Sequence, residues 1–127
     1  MSNKDLNLKD KKYDLIERTA KFGEDIIDFV KTLPREEINR SLINQLVRSG
    51  TSIGANYMEA DSAESKKDFE HKIGISRKEA KESIHWLRMI AHANLNKKET
   101  CYQYSKEAQE FVFIFSAIIN NSRKPKI

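Results

Sequence analysis

The chain has 127 residues, of which 33% are charged and 39% hydrophobic, with 4 Gly, 2 Pro and 1 Cys. That length suits one domain with a single core, and the lone Cys101 excludes an internal disulfide and fits a reducing cytoplasm. The net charge of +4 and pI near 9.1 permit a polyanionic partner without demanding one. The first residues hold no apolar signal-peptide core, and no run of about 18 apolar residues exists to span a membrane.

Apolar or small residues at 16, 19–20, 22–23, 26–27, 30 and 33 recur at helical spacing and predict a first helix from about Tyr13 to Leu33. Pro34, followed by Glu36 and Glu37, reads as a break and then a helix-opening turn. A second helix carries Leu42, Ile43, Leu46, Val47, Ile53, Tyr57 and Met58 to about Ala63. Ser65 with Asp68 resembles a capping box, with a short acid where Glu or Gln is usual. The third helix then places Phe69, Ile73, Ser76, Ala80, Ile84, Leu87, Ile90 and Ala91 on its inner side. Asn94-Leu95-Asn96 interrupts the pattern, and Asn96 with Glu99 forms a second cap-like pair. The fourth helix runs from about Lys97 to Asn121, with Phe111, Phe115, Ile118 and Ile119 on one stripe. Residues 1–12 and 122–127 read as polar tails around a bundle over 13–121. The expected class is all-α, an oligomeric up-down-up-down four-helix bundle.

The second helix contains a segment with little local reason to be helical, from Arg48 to Ala60. Gly50 and Gly54 share a face and invite another backbone to come close. Arg48, Ser52, Asn56 and Glu59 form a polar line, facing Lys72, Ser76, Glu79 and Ser83 on the third helix. Antiparallel neighbours would put Arg48 near Glu79 or Glu82. A structural ion-pair network fixing register is the simplest reading, with a phosphate or ligand site as its rival.

Candidate chemistry is sparse. Glu82-x-x-His85 has the spacing of a di-iron half-site, but His71 and His92 supply no second copy, so no metal, cofactor or catalytic group is expected. Cys101 has no orienting motif and reads as an inert thiol. Tyr57, Trp86, Tyr104 and Phe113 look off-stripe for a core and read as subunit contacts. Lys66, Lys67, Arg77 and Lys78, with the tail Arg123, Lys124 and Lys126, are the candidate nucleic-acid contacts, although Asp68, Glu70, Glu79 and Glu82 dilute the first set.

The phrase Arg48 to Tyr57 (Arg-Ser-Gly-Thr-Ser-Ile-Gly-Ala-Asn-Tyr), then Ser65 to Phe69, Lys78-Glu79-Ala80 and Ser83 to Leu87, resembles the family of 23S rRNA-intervening-sequence proteins. The likeness covers roughly residues 13–121. Ala60 stands where many relatives carry Gly after the Glu, as in the shorter branch of the family. The resemblance implies a cytoplasmic bacterial four-helix bundle assembling as a homopentamer. It also implies a fold similar to the accessory variability protein of diversity-generating retroelements, which works with a reverse transcriptase and nucleic acid. The function so implied is a non-enzymatic, nucleic-acid-associated accessory protein, with RNA, DNA or a nucleic-acid enzyme as partner. A protein–protein adaptor without nucleic-acid binding is the alternative.

Overall fold

The computed structural model describes residues 8–125, with side chains from Asp14 onward. Four long helices make up nearly all of it: α1 Leu8–Val30, α2 Glu37–Asp61, α3 Lys66–Ala93 and α4 Lys98–Arg123, with a 3-10 turn at Leu95–Lys97 before the last. No helix is long and apolar enough to cross a membrane among the described residues.

The helix ends follow from local chemistry. α1 closes through turn bonds from Thr32 N–H to Phe29 C=O and Leu33 N–H to Val30 C=O, just before Pro34. A residue preceding proline disfavours helical backbone, so α1 stops short of the expected Leu33. Its start is also earlier than the expected Tyr13, which takes part of the anticipated N-terminal tail into the helix. Glu36 caps α2 by accepting from Asn39 N–H, and Ser65 caps α3 by accepting from Asp68 N–H. The expected Asn96 cap of the fourth helix is not formed. Asn96 lies inside the 3-10 turn, and no side chain caps α4. Asn94 instead turns inward, where its amide and that of Asn39 exchange hydrogen bonds of 3.0 and 2.8 Å. This buried pair ties the entry of α2 to the exit of α3.

The core lies on the shared inner stripe of all four helices. Phe22, Ile26 and Phe29 of α1 meet Leu46 and Ile53 of α2, Ile73, Ala80, Leu87 and Ile90 of α3, and Phe111, Phe115 and Ile119 of α4. Contacts climb α2 as they descend α3: Asn39 meets Asn94, Ser49 meets Ser83, and Glu59 meets Lys72. On the other side of α3, Glu70 meets Ser122 and Arg77 meets Ser116 of α4. α1 and α4 are joined by a bidentate ion pair of Arg18 and Glu107, at 2.8 and 2.6 Å, with the guanidinium 5.2 Å from the Phe111 ring centroid.

Candidate functional site

The glycines of α2 face α1. A Cβ on Gly54 would stand 3.1 Å from Thr19 Oγ1, and one on Gly50 would stand 3.4 Å from the Ile26 side chain. Gly23 of α1 meets the same seam from the other side, 3.5 Å from Thr51 Cα. The close approach inferred from Gly50 and Gly54 is therefore made by α1 within the chain.

α3 reaches the opposite face of α2 through small groups. Ser76 donates to the Ile53 carbonyl at 3.0 Å, and the Ser83 and Ser49 hydroxyls lie 2.9 Å apart. At the edge of this seam, Arg48 donates to both Glu79, at 3.1 Å, and Glu82, at 2.8 Å. Glu79 is buried, and desolvation with the nearby Glu82 charge raises its pKa despite Arg48. Glu82 is held below the usual carboxylate range, chiefly by the Arg48 hydrogen bond. The rest of the polar line does not continue the network. Ser52 donates back to the Arg48 carbonyl, Asn56 donates back to the Ser52 carbonyl, and Glu59 pairs with Lys72 at 2.9 Å. These contacts join helices or close a helix on itself.

The outer face of α3 is different. Its exposed positions are Lys66, Lys67, His71, Lys78, Lys81, His85, Arg88, His92 and Ala93. Every one before Ala93 is a cation or an imidazole. From Lys67 to His92 they alternate at spacings of three and four, with Gly74 completing the series. The stripe is therefore straight and about 37 Å long at the helical rise. The acids on α3 have gone elsewhere. Glu79 and Glu82 face Arg48, Glu70 faces Ser122 and Arg123, and Asp68 sits in the first turn, where the helix dipole favours it. Arg88 and His92 also line a hollow of about 220 Å³ with Ala91, Leu95 and Lys98. His71, His85, Arg88 and His92 are not among the basic residues expected from sequence. The three-four alternation itself was the signal that could have found them.

With this geometry established, comparison with known proteins is decisive on kinship. The model of the 23S rRNA-intervening sequence protein family matches residues 11–117. The chain belongs to that family. A crystal structure of a Bacteroides thetaiotaomicron protein of unknown function, from the S23 ribosomal protein family, is 30% identical, with a TM-score of 0.76. The match covers 87% of this chain and 98% of that one. No curated protein matches the chain significantly.

The remaining candidate residues fall into three groups. Lys67 and Lys78 are exposed on the α3 stripe and Lys66 is exposed beside its first residue, whereas Arg77 is half-buried and donates to Ser116 at 3.4 Å. Arg123 and Lys124 are exposed at the end of α4; Arg123 lies 3.7 Å from Glu70, which brings the basic C-terminal residues beside the Lys66–Lys67 end of α3. The expected tail is thus shorter by Ser122 and Arg123, which are helical, and Lys126 lies outside the described residues.

Among the aromatics, Tyr57 is 4% exposed and stacks on Phe115, so it belongs to the chain's own core, a correction to its reading as off-stripe. Tyr104 packs half-buried against Phe22 and Phe29. Trp86 is partly buried beside His85, and its Nε1 has no hydrogen-bond partner. Phe113 alone of the four is open, at 62% exposure. Glu82 of the Glu-x-x-His spacing is engaged by Arg48, and no group of three or more metal-ligating side chains occurs among the described residues. Cys101 is buried, and burial pushes its thiol up to about 11.

Proposed function

We propose that this protein is a non-enzymatic, nucleic-acid-associated accessory protein of the cytoplasm, an up-down-up-down bundle that binds phosphate backbones along the outer face of α3. The observation that carries the reading is the α3 stripe, where every exposed position from Lys66 to His92 is cationic or imidazole. Such a face attracts polyanions by releasing their counterions and needs no base-specific contact. The rRNA in the family's name points the same way. With five permanent cations, Lys66, Lys67, Lys78, Lys81 and Arg88, the logarithm of the binding constant should fall with log salt at a slope of roughly −4 to −5.

Self-association belongs to the same reading. Phe113 and Tyr102 project from α4, while Ile16, Ala20, Ile27, Ala55 and Met58 line a groove of about 360 Å³ between α1 and α2. A knob and a groove on different faces suit head-to-tail contacts, which close into a ring. A ring of five follows from the family resemblance. It would set five α3 stripes on one particle and multiply the chain's +4 to about +20.

The test is fluorescence anisotropy with RNA and DNA over a salt series, with light scattering on the same sample. Binding that weakens along the expected slope, and that is lost when Lys67, Lys78 and Lys81 are changed to Glu, supports the reading. Absence of binding to RNA or DNA at low salt sinks it and leaves the adaptor. A single-chain mass near 14.8 kDa removes the oligomer.

A further inference from the structure

Gly74 stands in the middle of the α3 stripe, and no packing contact among the described residues accounts for it. The other three glycines face the α1–α2 seam, where an added Cβ would meet atoms at 3.1 to 3.5 Å. A Cβ added at Gly74 would meet nothing within 4 Å. Glycine weakens a helix interior more than any residue except proline, and the close packing that explains the other three glycines is absent at Gly74, which leaves its backbone open to close approach.

The neighbours one turn away on the same face are Glu70, His71, Arg77 and Lys78. Glu70 is turned to α4, 3.1 Å from the Ser122 hydroxyl and 3.7 Å from Arg123, so its charge is engaged away from the stripe. Arg77 commits one N–H to Ser116 at 3.4 Å and keeps the rest of its fork. His71 and Lys78 are exposed. A bare stretch of backbone is thus flanked by an imidazole, an ammonium and a guanidinium, on a face otherwise covered by long side chains.

We propose that the Gly74 notch seats one backbone phosphate of a bound nucleic acid, with Lys78 and His71 on its two sides and Arg77 behind it. The inference rests on the nucleic-acid reading above and adds to it the point of closest approach. A side chain at position 74 would hold the strand off the helix and cost the contact without touching any cation.

The experiment compares wild type, Gly74→Ala, Gly74→Leu, Lys78→Ala and the Gly74→Leu/Lys78→Ala double variant, using a short blunt RNA duplex of mixed sequence. Thermal melts come first. Gly74→Ala should melt above wild type, since its Cβ meets open space and favours the helix, and Gly74→Leu should melt no lower than wild type. Gly74→Leu should bind about eightfold more weakly at about 0.1 M salt, with a salt slope shallower by about 0.9, which is the loss of one phosphate contact. Gly74→Ala should lie between it and wild type. The double variant should lose little beyond either single change, because both act on the same phosphate. Gly74→Leu binding with wild-type affinity and slope would overturn the notch while leaving the stripe intact. So would weakened binding with an unchanged slope, or a changed oligomer mass, which would assign Gly74 to a subunit contact. Wild type that binds no duplex at low salt defeats the underlying reading instead.

Discussion

Replacing Arg48 with Met keeps most of the stem and removes the charge that Glu79 and Glu82 share. Breaking a fully buried pair costs about 3–5 kcal/mol, whereas an exposed pair contributes about 0–1 kcal/mol. The Arg48 side chain is 48% exposed and that of Glu79 only 10%, so water screens one end of the pair and not the other. A loss of about 2 kcal/mol at neutral pH is expected, or a fall in Tm on the order of 6–10 °C for a chain of this length. The pH dependence separates charge from packing. Glu79 has a raised pKa in the fold, so its contribution is full below the unfolded value and lost as pH rises through the folded one. Glu82 is lowered, so its contribution is present above the unfolded value and lost as pH falls through the folded one. Removing Arg48 raises Glu79 further and releases Glu82. The cost of Arg48→Met should therefore be largest near neutrality and shrink in mild acid, where Glu79 holds a proton. Urea unfolding of wild type, Arg48→Met, Glu79→Gln and the double variant at both pH values measures this. The double variant should be more stable than Arg48→Met alone at neutral pH. An Arg48→Met loss that is equal at both pH values, with no relief from Glu79→Gln, would show that the stem and not the charge holds the seam.

Three further outcomes follow from the packing. Cys101 is buried, with its thiol pushed up to about 11, so a thiol reagent at mildly alkaline pH should react only as fast as the protein opens; prompt labelling of the native protein would contradict this. Gly50→Ala should be neutral or stabilising in a thermal melt, whereas Gly54→Val should cost about 2 kcal/mol, because its Cβ already meets Thr19 Oγ1 at 3.1 Å; equal effects would refute the seam assignment. Asn39→Ala leaves the buried Asn94 amide half-paired and should cost about 2–3 kcal/mol in chemical unfolding, unlike a change at exposed Asn44.

Much of this architecture was legible because helical periodicity is a local signal. The apolar spacing gave four helices within a few residues of their ends, and Ser65 announced the start of α3. The Asn96 cap failed because a Ser/Thr/Asn residue three before an acid says nothing about the backbone between them. Here a 3-10 turn intervenes, and Asn94 has a better use in the buried pair with Asn39. Arg48 could be placed opposite Glu79 and Glu82 from spacing, but not which carboxyl is buried, since that depends on how closely Ser49 and Ser83 let the helices approach. Tyr57 was misplaced because a wheel drawn for one neighbour misses a residue wedged toward two, and its ring reaches Phe115 across the core.

The α3 stripe is legible in its three-four spacing but hidden in a count of charge. Counted along the sequence, Asp68, Glu70, Glu79 and Glu82 nearly neutralise the lysines around them. Sorted by face, they do not, because each acid on the flanks is drawn toward a neighbouring helix or the first turn. Arg48 is central to that sorting, since it draws Glu79 and Glu82 toward α2 and away from the outer face. The ion pairs between helices thus set the field outside as well as the register inside. Arg48→Met has a second readout on this account. It lies off the stripe, yet freeing Glu82, one turn from Lys78 and His85 and next to Lys81, adds an uncompensated negative charge beside them. Nucleic-acid affinity at low salt should fall severalfold, and adding Glu82→Gln should restore it, while Glu79→Gln restores stability more than binding. Unchanged affinity in folded Arg48→Met would separate the seam from the stripe and leave the network a purely structural clasp.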